Sequence, residues 1–218
     1  FGRRLSWFVK LWTGTFRAGQ QTNIKATSIV SELAAELLAR PSAPKAILML
    51  VPAETYLASI FAGPNSRQEA RIMAESRLKR LHKHIGEENI AAVIMEPINY
   101  NSGTILPAPG FLQAARQLTR QTDVLLIFDE ILSGFRTGAS CAQGYYGVTP
   151  DLSTLGKALG GGTALSAFVG RREVMDAVSP LGSAVHSGTF NAHLIPILAA
   201  DAFLDEIAMP AFWAHLEQ

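Results

Sequence analysis

The chain has 218 residues, 48% of them hydrophobic and 17% charged, with a formal net charge of +1. That composition supports a packed domain and gives no broad basic or acidic field of the kind that gathers nucleic acid. The single cysteine, Cys141, excludes an intramolecular disulfide and any multi-cysteine metal site, and it fits a reducing, cytoplasmic setting. No apolar run approaches the roughly 20 residues that span a bilayer, so neither a membrane nor nucleic acid is an expected partner.

Residues 1–42 read as an atypical basic N-terminal segment. Up to residue 31 it carries Arg3, Arg4, Lys10, Arg17 and Lys25 and no acid. Arg-rich, acid-poor termini include organelle transit peptides, which would imply an organellar location instead; a basic solvated surface explains the same residues. The start at Phe1 and the stop at Gln218, directly after a helical stretch, predict a piece of a longer protein.

Residues 43–218 read as part of one α/β domain. Residues 46–51 (AILMLV) form a short apolar run with the length of a buried strand. Residues 65–85 read as a helix: Ser66 and Glu69 have capping-box spacing, Ile72, Leu78, Leu81 and Ile85 recur at helical spacing, and Gly86 is a natural stop. The next apolar run is 90–95 (IAAVIM), ending at Glu96-Pro97. A helical pattern over 110–122 follows, then 124–128 (VLLIF), ending at Asp129-Glu130. A fourth run covers 164–169 (ALSAFV), and 171–178 and 192–207 read as helices. Short apolar runs separated by helices predict βαβ units around a buried parallel sheet. Such folds place their sites at the carboxyl ends of the strands. That directs attention to Glu96, to Asp129 and to the loop holding Lys157.

Asp129 follows an apolar strand directly, so its ionised form needs a partner near buried surface. A protonated ring nitrogen on a cofactor would serve, and so would a neighbouring loop. Lys157 sits among Gly156, Gly160, Gly161 and Gly162. Glycines allow close backbone approach and positive φ, and a partly desolvated lysine is a nucleophile towards an aldehyde. A flexible surface loop explains the same residues. A nucleotide phosphate loop does not, because Asp151 and Ala158 stand where that motif needs glycine and a hydroxyl. His186-Ser187-Gly188-Thr189-Phe190-Asn191 precedes a predicted helix, which suits either a phosphate site or an ordinary N-cap. His82, His84, His193 and His215 lack partners at metal-ligand spacing, and Cys141 reads as a small packed side chain.

The ordered set is Glu96-Pro97, then Phe128-Asp129-Glu130-Ile131-Leu132-Ser133-Gly134-Phe135-Arg136, then Gly147-Val148-Thr149-Pro150-Asp151-Leu152. Thr154-Leu155-Gly156-Lys157, Gly160-Gly161-Gly162 and His186-Ser187-Gly188-Thr189-Phe190 complete it. Together these resemble the class III pyridoxal-phosphate-dependent aminotransferases over about 90–207. The Leu-Gly-Lys form of the lysine motif and the segment 142–147 are most similar to the glutamate-1-semialdehyde aminomutase branch.

The resemblance implies a fold-type I major domain, incomplete here: a mostly parallel central sheet flanked by helices. It implies pyridoxal 5'-phosphate as cofactor and a homodimer acting on a small-molecule amino donor and a carbonyl acceptor. In that mapping Lys157 is the Schiff-base lysine and proton shuttle. Asp129 binds the ring nitrogen, and Ile131 packs on the ring face. Gly188 and Thr189 reach the cofactor phosphate of the neighbouring subunit, and Glu96 lies on the substrate side.

The chain also departs from that pattern. The family's Ser-Gly-Thr-Glu-Ala phosphate loop and Tyr-His-Gly segment have no match in residues 1–88; the nearest stretch is Thr13-Gly14-Thr15-Phe16. Leu132 stands where some members have glutamine, as suits the aminomutase-like branch. His193-Leu194-Ile195-Pro196 replaces small polar residues with an earlier proline, and the C-terminal small domain has no counterpart. A second reading follows: a degenerate or truncated member that binds the cofactor weakly or not at all and has no turnover.

Overall fold

The computed structural model describes Lys10–Trp12, Ala46–Met49, residues 75–76, 78–79, 81–83 and 85, residues 90–101, and residues 103–216. The capping box at Ser66 and Glu69, the stop at Gly86, His84 and the rest of the basic segment lie outside these residues. What is described of the predicted helix over 65–85 is helical.

Six strands form one sheet in the order β1-β6-β5-β4-β3-β2. They are β1 (Lys10–Trp12), β2 (Ala46–Met49), β3 (Ile90–Met95), β4 (Leu125–Asp129), β5 (Leu152–Leu155) and β6 (Ser166–Gly170). β2, β3, β4 and β5 pair in parallel, whereas β6 is antiparallel to β5 and to β1. All six residues of β3 are buried, as expected of a strand with both faces covered. The mostly parallel α/β architecture therefore stands, with β6 as the exception. No α-helix crosses between β5 and β6, and a parallel return would need such a crossover.

Side chains alternate between the two faces with period 2. On one face Val93, Met95, Leu126 and Phe128 pack with Phe111, Leu112 and Ala115 of α1 (Phe111–Gln121). The buried positions of α1 fall on one stripe, Phe111, Leu112, Ala115 and Thr119. On the other face Ala92, Ile94, Ile127, Leu152 and Phe168 form a second cluster. It is closed by Val174 and Met175 of α3 (Arg172–Met175) and by Val178. A third cluster joins Leu155, Leu159, Leu165 and Ala167 to Cys141 of α2 (Cys141–Tyr146) and Ala200 of α4 (Leu194–Ile207). The chain continues into α5 (Pro210–Leu216).

Three boundaries differ from the sequence pattern. The helix expected over 171–178 stops at Met175, because Ser179 N–H donates to Ala184 O and Ala184 N–H to Ala177 O, turning the chain back on itself. Pro180 has no N–H with which to continue a helix. The helix expected over 192–207 starts at Leu194, after Ala192 adopts a φ of 58°. The fourth apolar run begins pairing only at Ser166 and continues through Gly170. Three elements are not evident in the apolar pattern: β1, which falls within the basic segment, β5, whose LSTL sequence is half polar, and α2, only 6 residues long.

Candidate active site

The carboxyl ends of β3, β4 and β5 lie side by side. Met95 pairs with Phe128, and Asp129 with Thr154. Glu96, Asp129 and the turn carrying Lys157 thus share one edge of the sheet. Asp129 continues the alternation after Ile127 and projects on the face opposite α1. Its Oδ1 accepts from the N–H of Ile131 at 3.1 Å and from the hydroxyl of Thr154 at 3.2 Å. Its Oδ2 receives no hydrogen bond among the described residues.

Burial pushes the Asp129 carboxyl above its ordinary value, and the charge of Glu96 adds to that. The Ile131 and Thr154 hydrogen bonds and the charge of Lys157 act in the other direction. No ion pair within 4.0 Å joins Lys157 to either acid among the described residues. The arrangement is a half-buried carboxyl with one oxygen fixed and the other open.

Lys157 opens a 3-10 turn (Lys157–Gly160) directly after β5, and it is exposed. The sequence assigns positive φ to the glycines here, and Gly161 and Gly162 do have it, at 55° and 92°. Gly156 does not; it is extended at φ −170°. Lys157 itself takes φ 48°, a left-handed conformation that costs a residue with a side chain about 1–2 kcal/mol. Such strain persists where surrounding structure over-determines it, and it concentrates at functional positions. What holds it is the packing of Leu159 and Gly160 beneath the turn and α4 against it. Ile131 approaches the same turn, since a Cβ on Gly156 would stand 3.5 Å from its Cγ2.

Glu96 is half-buried, and its oxygens are engaged by its own loop. Oε2 accepts from Tyr100 N–H at 2.9 Å and Asn101 N–H at 3.3 Å; Oε1 accepts from Asn101 Nδ2 at 2.7 Å. Gly188 and Thr189 are exposed, and no hydrogen bond or ion pair links them to the other four among the described residues. Ser187, Thr189 and Asn191 do not cap α4: the N-cap is His193, with no side-chain cap bond.

Two residues near this edge gave little signal in the sequence. Thr154, buried and bonded to Asp129, stood only as part of the lysine motif. Glu130 is fully buried on the other face. Its carboxyl accepts from Ala142 N–H at 2.7 Å, Ser133 Oγ at 3.2 Å and Gln143, so it caps α2 and fixes the loop after Asp129.

A separate cavity of about 520 Å³ lies on the α2 and α4 face, lined by Phe135, Leu155, Leu159, Ala167, Ile197 and Leu204 among others. None of the six site residues named from the sequence lines it.

A mixed, mostly parallel sheet with an acid and a strained lysine at its carboxyl edge defines a protein of the fold-type I transferase class. The family model described as Aminotransferase class-III matches residues 37–218, and the chain belongs to that family. Curated relatives that it matches are named glutamate-1-semialdehyde 2,1-aminomutase. It is 50% identical over 121 residues to glutamate-1-semialdehyde 2,1-aminomutase of Methanocaldococcus jannaschii, covering 56% of this chain and 28% of that protein. Among solved structures it resembles an omega-transaminase from Sphaerobacter thermophilus at 36% identity and TM-score 0.57, covering 62% of this chain and 31% of that one. The omega transaminase of Pseudomonas jessenii shares the fold at TM-score 0.71 and 22% identity, over 92% of this chain and 51% of that one. The alignment with the M. jannaschii relative thus covers under a third of that protein.

Proposed function

We propose that the chain carries the cofactor-binding half of a transaminase-type site, with Lys157 as the residue that takes up pyridoxal 5'-phosphate. The observation that supports this most is Asp129: a half-buried carboxyl whose Oδ1 is held by two donors and whose Oδ2 is open, beside a strained lysine. The residues present fit the cofactor, because a carboxylate with one open oxygen beside buried surface is stabilised by a cationic partner, and a protonated ring nitrogen is one.

When bound, the cofactor supplies an aldehyde that condenses with amines and a ring that delocalises the electron pair left by a departing proton. The chain's own residues supply the rest. Lys157 Nζ would hold the cofactor through its aldehyde carbon and, once displaced by a donor amine, would be the base that moves the proton at the donor's α-carbon. Asp129 Oδ2 would accept from the protonated ring nitrogen, which would keep the ring electron-withdrawing. Ile131 would pack against the ring face and exclude water. Glu96 borders the substrate side, where its charge opposes a second anion. The overall reaction is transfer of an amino group from a small-molecule donor to a carbonyl acceptor, and the aminomutase relatives favour an aminomutase-like version.

Gly188 and Thr189 serve the phosphate of a neighbouring subunit in a homodimer. The exposure of Leu194 (65%), Ile195 (64%) and Phe190 (49%) next to them supports a covering second copy.

The test is to incubate the chain with pyridoxal 5'-phosphate, record visible absorbance, reduce with borohydride and map the label, with Lys157→Ala alongside. Label on Lys157 alone, lost in the variant, is the expected result. No absorbance, or label scattered over many lysines, supports the degenerate or truncated reading instead.

A further inference from the structure

We infer that Thr154 is a positioning residue for Asp129: its hydroxyl fixes the plane of that carboxyl against the sheet and favours its ionised form. The inference rests on the reading that Asp129 is the site's acid, and it goes beyond that reading by naming what controls it.

The two donors to Oδ1 are not equivalent. Ile131 N–H lies two residues on in the same loop and moves with Asp129. Thr154 lies on the neighbouring strand, in register with Asp129, with its hydroxyl oxygen 3.2 Å from Oδ1. It is therefore the bond that ties the carboxyl to the rest of the sheet. Thr154 also lies on β5, whose end leads through Gly156 into Lys157. One hydroxyl thus links the position of the acid to the strand that carries the lysine.

The electrostatics agree with the geometry. The charged groups facing Asp129 are Glu96 at the end of β3, which disfavours its ionisation, and Lys157 after β5, which favours it. Burial disfavours it most. A donor to the ionised carboxylate opposes burial, and hydrogen bonds to charged groups are among the stronger ones. Without the hydroxyl, Oδ1 keeps only the local Ile131 bond, and the carboxyl is freer both to rotate and to stay protonated.

The experiment compares wild type, Thr154→Val and Thr154→Ser. Valine keeps the shape and the strand preference while removing the hydroxyl; serine restores it. The first readout is the Asp129 carboxyl titration, followed by carbon NMR in the chain without cofactor. The second is pyridoxal 5'-phosphate affinity from visible absorbance. The valine variant is expected to move the Asp129 titration to higher pH and to weaken cofactor binding about tenfold, the loss of one ~1.4 kcal/mol interaction. Serine is expected to return both towards wild type. An Asp129 titration unchanged in the valine variant, or unrescued by serine, overturns the inference. A wild-type chain that takes up no cofactor counts against the proposed function alone, because the titration is read without cofactor.

Discussion

Gly161 lies directly against α4: a Cβ on it would stand 2.9 Å from the carbonyl oxygen of Ala199. Its φ of 55° is also left-handed. This glycine lets the helix close over the lysine turn, so a backbone contact well away from the chemistry helps to hold Lys157 in its strained conformation. Gly161→Ala is expected to destabilise the chain by about 2–3 kcal/mol, combining strain and clash. Gly162→Ala has open space around it and carries the strain alone, at about 1 kcal/mol. Denaturant midpoints of the two variants should fall in that order.

Lys157 itself pays for its conformation. Lys157→Gly is expected to stabilise the chain by about 1 kcal/mol, because glycine adopts φ 48° without a Cβ penalty. Lys157→Ala keeps the Cβ and should gain nothing. Thermal unfolding separates the two, and neither variant should retain the borohydride-trapped label.

Burial raises the Asp129 carboxyl above its ordinary value of 3.8. The unfolded chain therefore ionises first as pH rises, and this residue's contribution to stability is lost between 3.8 and the higher folded value. Asp129→Asn keeps an oxygen to accept from Ile131 and Thr154 but cannot ionise. It should be more stable than wild type at neutral pH, and the gap should close as pH falls below the ordinary carboxylate range. Urea unfolding at several pH values gives the comparison. A variant less stable than wild type at neutral pH would contradict this account.

Asp151 anchors the start of β5. It is 2% exposed, accepts from Arg116 at 2.6 Å and from Leu126 N–H at 2.8 Å, and pairs with Arg171 at 2.9 Å. Arg116 is 11% exposed and Arg171 53%. Removing the buried partner should cost about 3–5 kcal/mol, and removing the exposed one less than about 1 kcal/mol. Chemical denaturation of Arg116→Ala and Arg171→Ala tests that ratio.

Cys141 is buried, with its thiol pushed up to about 11 mainly by desolvation. The thiolate is the reactive form. A disulfide reagent at pH 8 should therefore leave the folded chain unmodified and react fully once denaturant is added.

Much of this site is legible in the sequence because its pieces are local. Apolar runs ending in Glu96 and Asp129 predict buried strands whose carboxyl ends carry acids, and both strands form. The ordered motifs around Lys157 mark the family that residues 37–218 match. What the sequence could not supply depends on contacts between segments far apart. β5 is too short and too polar to be read from its own pattern; it is a strand because β4 and β6 flank it. Propensity speaks only for isolated residues, so the sequence points to positive φ at the glycines and not at Lys157. The lysine carries it because Leu159, Gly160 and α4 fix the turn from beneath. The register that sets Thr154 opposite Asp129, and leaves one carboxylate oxygen open, exists only once two strands pair. The sequence by itself determined the family, through the order of the motifs. Only the tertiary structure decided how the acid is oriented and which residue bears the strain, because hydrogen bonds and close packing act between neighbours in space.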